Sequence, residues 1–286
     1  MALGSGAQDA MIYDTLKVIG KESESKRYMG RIHAAGSLAI LISGPIGSLI
    51  AANWGIQTTI QLASVFRFFG LCITMFLVEP AIEFHGKKPS AIKIFRQGIA
   101  SIRQTPALKR LAFDMVVFGF LPYYAMWTYQ VRLGDLGLAQ RHYGYVFMVM
   151  IIIEFAFLFG MQHIEKIFSS QRQMLGVSAS VIGIGYIATM ITNNLWISMA
   201  AYIVLVGIGW SRPILLANYA NKHTPSEQRA TIISSINMIR IGFLIVLNPL
   251  MGLWMETGLR TMLLMLGLVG LVAMFLNPVK EEDLIN

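Results

Sequence analysis

Apolar residues in this chain come in runs of about 20, the length of helix that crosses roughly 30 Å of hydrocarbon. Eight runs are visible, at about 33–52 (A), 57–78 (B), 108–128 (C), 143–162 (D), 174–192 (E), 195–217 (F), 231–253 (G) and 258–277 (H). Each is continuously apolar, whereas barrel strands would alternate over about ten residues. The pattern predicts an all-α polytopic membrane protein with about eight transmembrane helices and an N-terminal partial helix. The A–B, E–F and G–H connections are a few residues long, so those helices are antiparallel neighbours. The B–C connection is longer. It opens on Glu79-Pro80, which ends helix B. It then places Ile92, Phe95, Ile99 and Ile102 at helical spacing, with Lys93, Arg96 and Arg103 largely on other faces. This reads as an amphipathic cytoplasmic helix lying on the membrane surface; a solvated linker helix is the alternative.

Composition agrees: 55% of the 286 residues are hydrophobic and 13% charged, against about 25% charged in soluble domains. The net charge of +8 is organised by topology. Lys17, Lys21, Lys26, Arg27, Arg31, Lys87, Lys88, Lys93, Arg96, Arg103, Lys109, Arg110, Lys166, Arg172, Lys222, Arg229 and Lys280 lie in or beside alternate connections. The opposite connections hold only Arg132, Arg141 and Arg260. By the positive-inside rule both termini face the cytoplasm. No basic patch of the nucleic-acid kind is needed to explain the charge. Cys72 is the single cysteine, which leaves no disulfide framework within one chain.

An internal repeat runs at an offset near 200. Ser5 to Asp14 matches Ser211 to Ala220 at offset 206, and Arg27 matches Arg229 at 202. Gly44-Pro45 matches Asn248-Pro249 at 204, and Pro80 matches Pro278 at 198. The matched helices cross in the same direction, which makes the repeat parallel. With "SGAQDAMIYDTLK", "MGRIHAAGSLAILISGPIGSLIA", "WTYQVRLGDLGLAQRHYG" and "RATIISSINMIRIG", the chain resembles the major facilitator superfamily (MFS). That resemblance implies two six-helix halves related by an axis along the membrane normal. It implies a chain running from the end of the family's fourth helix to its twelfth, N-terminally truncated or a fragment. The divisions would be 1–78, the last part of the N-terminal bundle; 79–107, an inter-bundle linker; and 108–286, the C-terminal bundle. The implied activity is secondary transport of a small solute, and the expected location, which comes from the resemblance and not from the charges, is a bacterial inner membrane. Gly44, Pro45 and Gly47 keep part of the family's fifth-helix antiporter motif, a hint of export. Their alternative role is a kink and close helix packing.

Charges in mid-membrane cost about 2.5–3.5 kcal/mol on insertion scales and mark cavities or partners. Glu154 lies near the centre of D, Arg67 of B and Arg240 of G; Asp114 and Arg212 lie in the cytoplasmic quarters of C and F. Burial disfavours a charged carboxyl, so Glu154 can take a proton on one side and release it on the other. It is either a coupling carboxylate or the partner of an arginine that fixes packing. Arg67 and Arg240 are substrate contacts or structural counter-ions, and Asn237 shares a face with Arg240. Asn248 is placed to satisfy backbone freed by Pro249. Tyr123 and Trp127, four apart on one face of C, line a substrate path or belong to an aromatic belt. On a path they offer cation–π contact to an organic cation. Asp9, Asp14, Arg27 and Arg31, opposed by Arg212, Lys222 and Arg229, are candidate inner-gate charges, or a solvated basic loop.

Nucleotide-binding, zincin, paired-cysteine and nucleophile-turn motifs are all missing. No metal and no cofactor is expected, and energy would come from an ion gradient, with the proton as the expected coupling ion. A membrane-embedded enzyme and a non-transporting scaffold are the alternatives. The expected partners are a small-molecule substrate, the lipid bilayer and the coupling ion, with no nucleic acid.

Overall fold

The computed structural model describes residues 5–77, 91–225 and 228–284. Glu79-Pro80, Lys87 and Lys88 lie outside the described residues, as do the side chains of Asp9, Ile92 and Lys93. Among the described residues the elements are α-helices joined by short turns: α1 (Ser5–Val18), α2 (Ser25–Trp54), α3 (Ile56–Thr74), α4 (Ala91–Gln104), α5 (Pro106–Asp135), α6 (Tyr143–Phe159), α7 (Met161–Glu165), α8 (Gln171–Ile191), α9 (Leu195–Lys222) and α10 (Arg229–Phe275). Runs A to F each become a helix. Among the described residues seven helices are long and apolar enough to cross a membrane.

Runs G and H share α10, whose backbone leaves helical geometry at Gly258 (φ −171°, ψ 66°). Contacts along α5 show that the second leg doubles back. Asn248 on the first leg meets Tyr124. Past the break, Met262 lines the same cavity as Tyr123 and Trp127. Gly270 lies against Leu121, and Asn277 reaches Asp114. These positions descend α5 in reverse order, so α10 folds as an antiparallel hairpin whose two legs carry runs G and H, and among the described residues each of the eight runs lies on a helical leg.

The chain divides into two compact units: Met1–Pro89 with Ala139–Met148, and Ser90–Leu138 with Val149–Asn286. In the first unit α3 has no buried residue, and Phe66, Phe68 and Phe69 are exposed. Gly44 of α2 lies directly against Gly144 of α6, so closely that a Cβ on Gly144 would overlap the Gly44 carbonyl. Beside this crossing the Ser48 hydroxyl donates to the Arg141 carbonyl at 3.0 Å.

In the second unit the core joins α5, α8, α9 and α10 around Leu111, Met115, Leu175, Leu216, Ile232 and Ile236. The amphipathic helix α4 belongs here. Its Gly98 and Ile102 are buried, and a Cβ on Gly98 would approach Ser235 Cβ to 2.9 Å. Lacking a side chain at 98, α4 packs on the first turns of α10.

Arg132 departs from expectation. It is no loop cation: α5 continues to Asp135, and the Arg132 side chain is buried. Its Nε donates to the Thr189 carbonyl (2.9 Å) and an Nη to that of Thr192 (2.6 Å), at the end of α8. A helix C-terminus leaves carbonyls unsatisfied and attracts positive charge, so the arginine is held inside the fold.

The segment after α10 straps the end of the second unit. The Glu281 carboxylate accepts the Gln171 and Arg172 N–H groups (2.9 and 2.8 Å), at the start of α8. Asp283 takes a two-pronged bond from Arg110 (2.7 and 2.5 Å), and Val279 and Leu284 are buried. Burial alone would push the Asp283 carboxyl up. Hydrogen bonds from Arg110 and the Lys280 N–H, with the charges of Arg110 and His223, outweigh burial and hold it below its ordinary value. A carboxyl lowered on folding stabilises above its unfolded pKa of about 3.9, and that stability is lost as pH falls through the lowered folded value. The protection of the 279–284 amides, corrected for the intrinsic pH dependence of exchange, should therefore be high at neutral pH and fall below about pH 4. In D283N exchange is already fast at neutral pH; equal protection in both proteins would remove Asp283 as the anchor.

Candidate functional site

The site grows from two proline-containing helices. α5 starts on Pro106, a position where the missing N–H costs no hydrogen bond, and carries Pro122 in mid-helix. α10 carries Pro249. Gly209 of α9 accommodates Pro122, since a Cβ there would come within 2.7 Å of the ring. One turn before Pro122 along α5, Gly119 leaves room for the Arg240 methylenes; a Cβ at 119 would sit 2.9 Å from Arg240 Cδ.

Above Gly119 the aromatic residues of α5 face the Pro249 region of α10. Tyr123 stacks edge-on against Tyr124 (centroids 5.3 Å apart) and Trp127 (6.1 Å). The Tyr124 hydroxyl donates to Asn248 Oδ1 (3.1 Å), and Asn248 Nδ2 donates to the Tyr123 hydroxyl (3.3 Å). Asn248, expected to serve the backbone freed by Pro249, instead holds two tyrosines. Together with Met251, Met255 and Met262 these groups line a cavity of about 220 Å³. The methionines gave no signal in sequence, because Met in an apolar run is indistinguishable from lipid-facing residues. Their flexible, polarisable side chains adapt to varied shapes.

The charged candidates fall into two groups. Arg212 and Asp114 form a fully buried ion pair: Nε to Oδ1 at 2.8 Å and an Nη to Oδ2 at 2.6 Å. The same guanidinium donates to the Leu175 carbonyl (2.5 Å) and to Ser178, and lies 4.1 Å from the Phe118 ring centroid. Asn277 donates to Asp114 from the other side. One pair thus ties together α5, α8, α9 and the end of α10. Asp114 and Arg212 were visible as an acid and a base at the same depth; Ser178, Phe118 and Asn277 were not foreseen.

The second group has no such partners. Glu154 is half-buried on α6, where Gly207 of α9 packs beside Ile153, and its carboxylate makes no ion pair or hydrogen bond among the described residues. Arg240 is half-buried, forms no ion pair among the described residues, and its buried Nε has no hydrogen-bond acceptor. Glu154 and Arg240 are therefore not paired with each other. Asn237 is half-buried one turn before Arg240.

Arg67 stands exposed on α3 between Phe66 and Phe68. Of the candidate gate residues, Asp14 is half-buried on α1 and Arg27 and Arg31 are exposed on α2. Arg229 closes the end of α9 by donating to the Asn221 carbonyl (3.1 Å). Gly44 sits in the α2–α6 crossing, and Gly47 looks toward Thr59 of α3.

The chain's membrane-length helices agree with its relationships. The sequence profile described as Major Facilitator Superfamily matches residues 1–241, ending within the first leg of α10. No curated protein matches the chain. With the profile covering most of the chain, this integral membrane protein belongs to the Major Facilitator Superfamily, a family of transporters that bind small molecules within the lipid bilayer.

Proposed function

We propose that this chain works as a proton-coupled secondary transporter, exporting a small organic solute across a bacterial cytoplasmic membrane with both termini in the cytoplasm. The observation that carries the coupling is Glu154. A carboxylate inside a spanning helix is costly and functional by default, and this one is half-buried with no partner among the described residues. A structural counter-ion would be paired, as Asp114 is. A group left unpaired is available to bind and release a proton as its access alternates. The basic side chains in alternate connections support the orientation. Gly44, Pro45 and Gly47 support export by their likeness to the antiporter motif. The cavity of Tyr123, Trp127 and Asn248 is the substrate-binding candidate.

Vesicles reconstituted with the protein and loaded with the pH dye pyranine test the coupling. An imposed pH gradient should drive solute movement, with matching proton flux, in the wild type. In E154Q the proton flux should fall at least tenfold while solute binding persists. Proton dependence equal in the two proteins would remove Glu154 from the coupling role.

A further inference from the structure

Arg110, Arg132, Arg212 and Arg240 are four of the seven arginines on the spanning helices of the second unit, and the first three of these four are matched. Arg212 has Asp114, Arg110 has Asp283, and Arg132 has the closing carbonyls of α8. Among the described residues Arg240 has no carboxylate partner, and its Nε has no acceptor. A cation in mid-membrane without a counter-ion is costly, and that cost falls when an anion arrives.

Arg240 also lies against α5 one turn from the residues of the aromatic cavity. Gly119, over which its methylenes pass, is one turn of α5 before Tyr123, about 6 Å along the axis. On α10, Arg240 precedes Asn248 by about 12 Å of helix. The cavity itself is lined by rings, thioethers and the Asn248 amide, with no charged side chain among the described residues. Its amide is occupied by two tyrosines, so it selects an apolar body and leaves the sign of the ligand's charge to its surroundings. Rings alone would favour a cation. Among the described residues no carboxylate lines the cavity to reinforce that choice, and the positive charge of Arg240 opposes it.

We propose that Arg240 and the Tyr123–Trp127–Asn248 cavity form one site for an amphipathic organic anion. An aromatic or branched apolar body fills the cavity, and a carboxylate or sulfonate head, roughly 10 Å away by the helix spacing, pairs with Arg240. The assignment rests on the transporter reading above and names its substrate class. Gly119 is what lets the arginine lie flat against α5, and Asn237, one turn away on the same face, offers the head a second donor.

Three probes with one body and different heads test it: 4-phenylbutyrate, 4-phenylbutan-1-ol and 4-phenylbutylamine. Binding is read in nanodiscs as the tryptophan quench that disappears in W127F. The butyrate should bind at least tenfold tighter than the alcohol and the amine. In R240Q that preference should vanish while alcohol binding stays within twofold, which also shows that the variant is folded. R240K should keep part of the preference. Equal binding of all three probes by the wild type would overturn the anion assignment and leave the cavity as a binding site. No quench by any probe would overturn both.

Discussion

Replacing Asp114 by alanine is expected to destabilise the second unit by about 3–5 kcal/mol, the usual cost of removing one partner from a buried ion pair. The size follows from what remains. Arg212, fully buried and still charged, would keep only the Leu175 carbonyl and Ser178 as acceptors. Asn277 would lose the acceptor that holds the end of α10. R212M should cost a similar amount, because Asp114 would then be the stranded charge. Changing both residues to apolar ones of matching volume, D114L with R212M, should recover most of the loss, since a buried pair gains little over well-packed apolar side chains. Thermal unfolding in detergent, run as a double-mutant cycle, measures all three. Single-variant losses below about 1 kcal/mol, the size of an exposed ion pair, would contradict the buried geometry.

That network shows where sequence reading stops. The spans were legible because lipid demands about 20 apolar residues per crossing, and no fold can avoid that constraint. The ends were less legible. α2 begins at Ser25, before its apolar run, because a helix need not stop where lipid does. Arg132 reads as a loop charge, yet the carbonyls of α8 draw it into the fold. Asp114 and Arg212 could be placed at one depth, but they stand 98 residues apart in sequence. Only the packing of α5 against α9 brings them together. In the cavity, Tyr123 and Trp127 stood out as aromatic neighbours, whereas Met251, Met255 and Met262 carry no mark in an apolar stretch.

The doubling back of α10 has a second dependence that apolar runs conceal. In lipid, helices gain nothing from hiding apolar surface and associate by close packing, which small residues permit. Gly183 of α8 is where the returning leg docks. A Cβ at 183 would stand 2.8 Å from the Leu271 side chain and 3.0 Å from the Gly267 carbonyl. A Cβ at 267 would meet the Gly183 carbonyl at 3.0 Å, and one at 270 the Gly183 Cα at 3.1 Å. Part of what a larger residue would strike is backbone, which cannot swing aside as a side-chain tip can. G183L should therefore cost about 3 kcal/mol, the upper end of ordinary overpacking. The second leg would lift off α8, and Asn277 would lose its hold on Asp114. A cysteine pair placed across Ser180 and Met274, which are in contact in the wild type, reads this directly. Cross-linking should be fast in the parent and at least tenfold slower with G183L, while G176L, at a glycine with open space around it, leaves the rate unchanged. Equal cross-linking in the parent and G183L would mean that the small-residue crossing does not hold the hairpin closed.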